Sequence, residues 1–202
     1  VITERVKYLI EKYKVNPEEI LVITFSKAAS KEMRDRFHAL WHGSAAPVTF
    51  GTFHGIYYGI LKWAYKLTSD NIFSEEQKFT LLGRIVERME LDIEDEKDFL
   101  QGIAGEISNI KNNQMPLGEY KALNCEEEVF DRIYKVYEEE CKRQRKVDFD
   151  DMLVLTYELF RKRSDILQMW QQKYKYILVD EFQDINKVQY EVIRMLAAPE
   201  NN

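Results

Sequence analysis

Two adjacent carboxylates, Asp180 and Glu181, follow directly after a short apolar run at 176–179. The run shows no alternation of polar and apolar residues, which predicts a parallel strand buried on both faces. Because adjacent residues of an extended chain point to opposite faces, the two carboxylates can take different tasks, one holding a hard cation and the other positioning a water. Ligands bind at this edge of open α/β sheets. Acidic pairs are also common solvated turn residues, so the pair alone leaves both interpretations open.

Two further strand ends carry polar or aromatic residues. The run I-L-V-I-T-F at 20–25 predicts a central parallel strand, and Ser26 after it is a suitable N-cap for the next helix. A third short strand is predicted at 47–50, with Thr52 as the N-cap of another helix. Helix, strand and helix in this order are typical of a doubly wound α/β fold. An isolated phenylalanine such as Phe25 is more often a core residue at a strand end, and a lone histidine such as His54 is more often a hydrogen-bonded turn residue.

The segment from about residue 66 to 146 has a different pattern. It contains no unalternated strand run, and apolar residues recur at helical spacing in three stretches, 79–89, 99–110 and 130–141. The sequence therefore predicts one α/β domain formed by residues 1–68 and 147–202, with an all-helical insertion at 69–146. After the insertion, Asp148, Asp150 and Asp151 precede a helix. They are candidates for a metal site, but aspartate is also favoured in the first turn of any helix.

The composition limits the class of protein. With 202 residues, of which 45% are hydrophobic, the chain can bury a sizeable core, and its net charge of −6 argues against a simple electrostatic nucleic-acid binder. Cys125 and Cys141 match no metal-ligand spacing, so we expect a reducing, cytoplasmic location. No apolar run is long enough for a membrane span. Both ends of the chain, Val1 and Asn201–Asn202, are expected to be cut from something larger.

The string D-E-F-Q-D at 180–184 resembles the Walker B motif of superfamily 1 helicases of the UvrD, Rep and PcrA type. The resemblance implies that Asp180 holds the Mg²⁺ of MgATP through a water. It also implies that Glu181 orients and deprotonates the water that attacks the γ-phosphate. Gln183 matches the motif as well and is expected among the residues that bind the ATP cofactor.

Two other segments resemble motifs of the same helicases. The string T-F-S-K-A-A-S-K-E-M at 24–33 is similar to motif Ia, and G-T-F-H at 51–54 is similar to the next motif. The resemblance implies contacts with DNA by Thr24, Phe25, Ser26, Thr52 and His54, with Phe25 beside a base and with Thr52 and His54 at the DNA backbone. Departures from the usual motifs occur at residues 27, 28 and 55, where this chain has Lys, Ala and Gly; the first of these makes it closer to the variant of AddA-like helicase-nucleases.

The resemblance also implies a fold and a function. The expected fold is α/β, a RecA-like P-loop NTPase parallel sheet (domain 1A, incomplete), with residues 69–146 as the helical subdomain 1B. The chain contains no G-x-x-x-x-G-K-[ST] loop, which the family carries upstream of the first helix. We therefore expect part of an ATP-dependent 3′ to 5′ DNA helicase, with single-stranded DNA, duplex DNA and the remaining helicase domains as partners, and no membrane.

Two alternatives from other classes remain at this point. The chain is compatible with a non-catalytic module, derived from the helicase fold, that binds DNA or protein. A carboxylate metal nuclease is the other alternative, with Asp148, Asp150 and Asp180 as its metal ligands. It predicts DNA cleavage that depends on metal and not on nucleotide.

Overall fold

A computed structural model describes residues 1–43 and 46–199. Three parallel strands and nine α-helices lie in these ranges. The strands are β1 (Ile20–Thr24), β2 (Thr49–Thr52) and β3 (Tyr176–Val179). The helices are α1 (Ile2–Lys12), α2 (Lys27–Leu40), α3 (Phe53–Tyr65), α4 (Glu75–Arg88), α5 (Glu96–Asn113), α6 (Glu127–Arg143), α7 (Phe149–Lys162), α8 (Ser164–Lys173) and α9 (Lys187–Ala197). Residues 200–202, at the end of the predicted α/β range, lie outside the described part.

The predicted α/β class is confirmed, with β1 at the centre of a three-stranded parallel sheet in the order β2-β1-β3. Ile20, Leu21, Val22 and Ile23 have no exposed surface, as predicted for a central parallel strand. Alternate residues of β1 point to opposite faces. Ile20 and Val22 belong to a core cluster with residues of α1 and α2, so those helices cover that face of the strand.

The predicted burial of β3 on both faces is wrong. All four residues of β3 are only half-buried. Among the described strands β3 pairs on one side alone, with β1, in the register Ile23 opposite Val179. An apolar run without alternation identifies a strand. It does not indicate whether that strand lies at the centre of the sheet or at its edge, and burial depends on this position.

The chain divides into two compact units. The first contains residues 1–60 and 156–202 and holds the sheet; the second contains residues 61–155 and holds α4, α5 and α6. The second unit has its own core, with Leu82, Ile103, Ile107, Ile133 and Tyr137 fully buried.

The boundaries between the units, at 60/61 and 155/156, fall inside α3 and α7. The sequence places them at 68/69 and 146/147, close to the ends of those helices. The sequence boundaries are set by the change of residue pattern, which occurs where a helix ends. The structural boundaries are set by which residues pack together, and a long helix can contribute residues to both compact units. The domain division by function stays a prediction.

None of the described helices combines the length and the apolar character that a membrane span requires.

Candidate functional site

The carboxyl ends of the three parallel strands lie next to one another at one edge of the sheet. Thr24, the last residue of β1, is the register partner of Thr52, the last residue of β2. On the other side of β1, the backbone N–H of Asp180 donates to the carbonyl of Ile23 at 2.9 Å. Parallel pairing therefore brings the residues that follow β1, β2 and β3, which are distant in the sequence, to a single edge.

The chain turns sharply as it leaves β3. Glu181 adopts a left-handed backbone conformation, with φ 50° and ψ 47°, which non-glycine residues adopt rarely. A short 3₁₀ helix, Phe182–Asp184, follows, and its last N–H donates to the carbonyl of Glu181 at 2.9 Å. Such backbone strain clusters at functional sites. The turn presents Glu181 to solvent at the exit of the strand.

The side chain of Gln183 folds back onto this turn. Its Nε2 donates to Oε2 of Glu181 at 2.6 Å and lies 3.4 Å from Oδ2 of Asp184. The sequence resemblance implies that Gln183 binds the cofactor, and that role stays a prediction. Its contact with Glu181 is a feature that sequence reasoning missed.

The chemistry of Asp180 and Glu181 fits a hard cation with a bound nucleotide. Within the described ranges, neither carboxylate forms an ion pair with Lys, Arg or His. The same ranges contain no group of three or more His, Cys, Asp or Glu side chains that could hold a metal by themselves. Mg²⁺ commonly binds to one or two carboxylates together with waters and substrate phosphates, so a lone acidic pair at a strand end is a sufficient protein contribution.

Phe25, which follows β1, is an exposed aromatic residue at this edge. Its side chain is 42% exposed, and its ring contacts Phe53 at 5.4 Å between centroids, because the Thr24–Thr52 register places the two following residues side by side. Phe53 itself is buried. One face of the pair is thus anchored in the core while Phe25 keeps an accessible surface on which a base can stack.

The hydroxyl groups at the edge form the local structure of the two corners. Thr24 is fully buried and its Oγ1 donates to the carbonyl of Ser26 at 3.0 Å. The predicted N-cap at Ser26 is confirmed, since its Oγ accepts from the N–H of Ala29 at 3.0 Å. Thr52 caps the start of α3 in the same way, accepting from the N–H of Gly55 at 3.1 Å. His54 is partly exposed in the first turn of α3.

The three aspartates at the start of α7 have a different environment, within the second unit. Asp148 Oδ1 accepts from the N–H of Asp151 at 2.7 Å, which confirms the capping interpretation. Two buried lysines also bind the cluster: Lys111 Nζ lies 2.7 Å from Asp151 and 3.1 Å from Asp148, and Lys78 Nζ lies 3.2 Å from Asp150. Each of these carboxylates is paired with an ammonium group, so the structure gives the metal-nuclease alternative no support.

Burial and charge shift the pKa values in this cluster in opposite directions. Burial raises the pKa of Asp151 to about 7, against the attraction of Lys111 and with the repulsion of Asp148. Burial acts in the same sense on Asp148, but the ammonium groups of Lys111 and Lys78 outweigh it and lower the pKa of that carboxyl. Burial lowers the pKa of Lys111, and Asp151, Asp148 and Glu138 together raise it well above its ordinary value.

Sequence reasoning missed both buried lysines, although a signal was present. Lys78 precedes Leu82 and Ile85 by four and seven positions, and Lys111 follows Ile107 by four, so each lies on the apolar stripe of its helix. A lysine on such a stripe is buried only when a carboxylate accompanies it. The sequence does not indicate which Asp or Glu residue pairs with each buried lysine.

Comparison with known proteins agrees with the motifs. The family model described as UvrD/REP helicase N-terminal domain matches residues 1–202. The whole chain aligns at 35% identity with the ATP-dependent DNA helicase PcrA of Leuconostoc citreum and with the putative ATP-dependent DNA helicase YjcD of Bacillus subtilis, and at 31% with PcrA of Staphylococcus aureus. It covers 28%, 27% and 28% of these proteins, respectively. The chain belongs to the UvrD/REP helicase N-terminal domain family.

Proposed function

We propose that this chain is part of an ATP-dependent DNA helicase that couples MgATP hydrolysis to 3′ to 5′ translocation on single-stranded DNA and to duplex unwinding. The observation that carries the proposal is the single sheet edge at which the Asp180–Glu181 pair and the exposed ring of Phe25 follow adjacent strands. In this proposal, a nucleotide site and a DNA contact at the same edge of one sheet allow changes at the nucleotide to act on the DNA. The relatives named as DNA helicases support the same activity.

Asp180 and Glu181 divide the work at the nucleotide site. The carboxylate of Asp180 would hold the magnesium ion of MgATP through a water, and the bound ion would supply charge neutralisation at the phosphates. Glu181, at the turn, orients the attacking water and accepts its proton. The absence of an ion pair at either carboxylate, within the described residues, supports these roles because both remain available to ligands.

The DNA contact in this proposal has two kinds of residue. Phe25 stacks on a base, and stacking suits a motor because every base offers a π-face. Thr24, Ser26 and Thr52 fix the two corners through their hydroxyls, and His54, with the start of α3, contacts the DNA backbone. The buried side chain of Thr24 supports a role in shaping the corner instead of touching DNA.

We assign the sheet-containing unit to an incomplete RecA-like P-loop NTPase domain 1A, and the helical unit to subdomain 1B. The chain spans less than a third of the length of the relatives it matches, so the phosphate-binding loop and the other helicase domains belong to the remainder of the protein in this proposal. Single-stranded and duplex DNA are its proposed partners. Two free thiols, Cys125 and Cys141, support a reducing compartment such as the cytoplasm.

The test is ATP hydrolysis by the full-length protein, with and without single-stranded DNA, for the wild type, Glu181→Gln and Glu191→Gln. Glu191 lies on α9, where it pairs with Arg194, and provides a matched control for the same chemical change. We expect DNA to stimulate the wild type, Glu181→Gln to reduce turnover by roughly a hundredfold or more while nucleotide binding is retained, and Glu191→Gln to have little effect.

Retained turnover in Glu181→Gln would contradict the assignment of the base. A wild-type protein that binds DNA but hydrolyses no ATP would favour the alternative, a non-catalytic module that binds DNA or protein.

A further inference from the structure

We infer that Gln183 is a positioning residue for hydrolysis: its side-chain amide fixes the carboxylate of Glu181 in the orientation from which it accepts a proton from the attacking water. The inference rests on the proposed function of Glu181. In this inference Gln183 acts on hydrolysis by holding Glu181, whereas the motif resemblance implies that Gln183 contacts the nucleotide directly. The evidence is the 2.6 Å bond from Gln183 Nε2 to Glu181 Oε2.

Glu181 needs such a partner because, within residues 1–43 and 46–199, no other side chain bonds to its carboxylate. The residue is exposed, and among the described residues its carboxylate has Gln183 as its hydrogen-bond donor. An exposed glutamate samples several rotamers, and most of them would point the carboxylate away from a water held at the phosphate. One bond to Oε2 restricts the rotamers and leaves Oε1 to accept from the water.

The local backbone places the amide where it can act. The left-handed conformation of Glu181 starts the tight turn, and the bond from Asp184 N–H to Glu181 carbonyl closes it. This brings the side chain two positions later back over the carboxylate. The Nε2 of Gln183 also lies 3.4 Å from Oδ2 of Asp184, so the amide is held between the carboxylates of Glu181 and Asp184.

A neutral donor suits this task better than a charged one. A lysine or arginine at the same place would hold the carboxylate in an ion pair, and the nearby positive charge would favour the ionised carboxylate and make it a weaker base. The aspartates at the start of α7 show that arrangement, with ammonium groups at 2.7–3.2 Å. At Glu181 the amide fixes direction without supplying a positive charge.

The experiment uses the full-length protein and measures two quantities: kcat for DNA-stimulated ATP hydrolysis, and the Kd of a fluorescent ATP analogue. The variants are Gln183→Ala and Gln183→Glu, each alone and combined with Glu181→Asp, beside Glu181→Gln. Gln183→Glu keeps the size and removes the donor. Phe182→Leu is the control for disturbance of the turn, since its ring is half-exposed and contacts Tyr190 instead of the carboxylate.

We expect both single substitutions of Gln183 to lower kcat by roughly tenfold or more, the effect of losing one hydrogen bond to a charged group. The Kd of the analogue should stay within about twofold, and Phe182→Leu should keep its kcat within a similar range. In the Glu181→Asp variant the shorter side chain no longer reaches the amide of Gln183. The further loss of kcat caused by Gln183→Ala should therefore be several-fold smaller in this variant than in the wild type.

Three results would overturn the inference while leaving the proposed function intact, provided that Glu181→Gln abolishes turnover. They are an unchanged kcat in both Gln183 variants, a Kd that rises in parallel with the loss of kcat, or an equal loss in the Glu181→Asp background. The second result would restore Gln183 as a nucleotide ligand. If Glu181→Gln retains turnover, the proposed function fails first and the inference fails with it.

Discussion

Replacement of Lys111 by methionine should strongly destabilise the helical unit, because Lys111 is the main counter-charge of a buried acidic cluster. Its ammonium lies 2.8 Å from Glu138, 3.1 Å from Asp148 and 2.7 Å from Asp151, and its side chain is only 4% exposed. Methionine keeps the length and apolar stem of lysine. The substitution therefore removes the charge with little change in volume and leaves the carboxylates without their nearest cation.

The expected cost follows from this geometry. Removal of one partner from a buried ion pair typically costs about 3–5 kcal/mol, since the remaining charge stays buried. Protonation of Asp151, whose pKa burial already raises to about 7, relieves part of the repulsion and favours the lower end of the range. A loss of about 3 kcal/mol corresponds to roughly a hundredfold faster amide exchange wherever exchange requires opening of this unit.

Hydrogen–deuterium exchange of peptides from α5 and α6, in the full-length protein, measures this loss locally. Lys135→Met is the matched control, because Lys135 lies on α6 in an exposed pair with Asp131 at 3.5 Å and should contribute less than about 1 kcal/mol. The double variant with Asp151→Asn should recover part of the protection. Exchange in Lys111→Met within about threefold of the control would refute the reasoning that the cluster depends on this cation.

Two further predictions concern pH and DNA. Since the folded-state pKa of Asp151 lies above its ordinary value of 3.8, the folded chain keeps a proton that the unfolded chain releases, and stability should fall as the pH rises from about 4 to about 7, by at most about 1.4 kcal/mol per pH unit. Thermal unfolding of Asp151→Asn should show a shallower fall than the wild type over this range, and identical slopes would contradict the shift. Separately, Phe25→Ala should weaken single-stranded DNA binding by about 1–3 kcal/mol in fluorescence anisotropy, with Phe25→Trp close to the wild type. Leu123→Ala, at a side chain 83% exposed in the other unit, is the control, and equal affinities of Phe25→Ala and this control would exclude stacking at Phe25.

The strands and corners of the site could be predicted from the sequence because their signals are local. The run at 20–25 identifies a central strand, and β1 is found at Ile20–Thr24. Ser26 and Thr52 are predicted as caps from the sequence, and each accepts the backbone N–H three residues later. Apolar period and capping depend on residues within one or two turns of each other, so the sequence alone is sufficient for them.

The sequence also determined the family, through the order and spacing of three motifs, but not what each motif residue contacts. Thr24 and Phe25 are neighbours in one motif, yet the first is fully buried and the second is 42% exposed. β3 is likewise only half-buried because, among the described strands, it lies at one edge of the sheet and pairs with β1 alone. Burial of a residue depends on which elements cover it, and that coverage is a property of the assembled sheet.

The interactions decided by tertiary structure alone are those between residues far apart in the chain. Lys78 meets Asp150 across 72 positions, and Lys111 meets Asp148 across 37. No local pattern specifies such a pair, because each lysine can be buried only beside a carboxylate that packing delivers. At the site, the sequence by itself determined that Asp180 and Glu181 leave a strand together. The fold decided that they share a sheet edge with Phe25, since parallel pairing to one central strand aligns carboxyl ends that the sequence separates by about 155 residues.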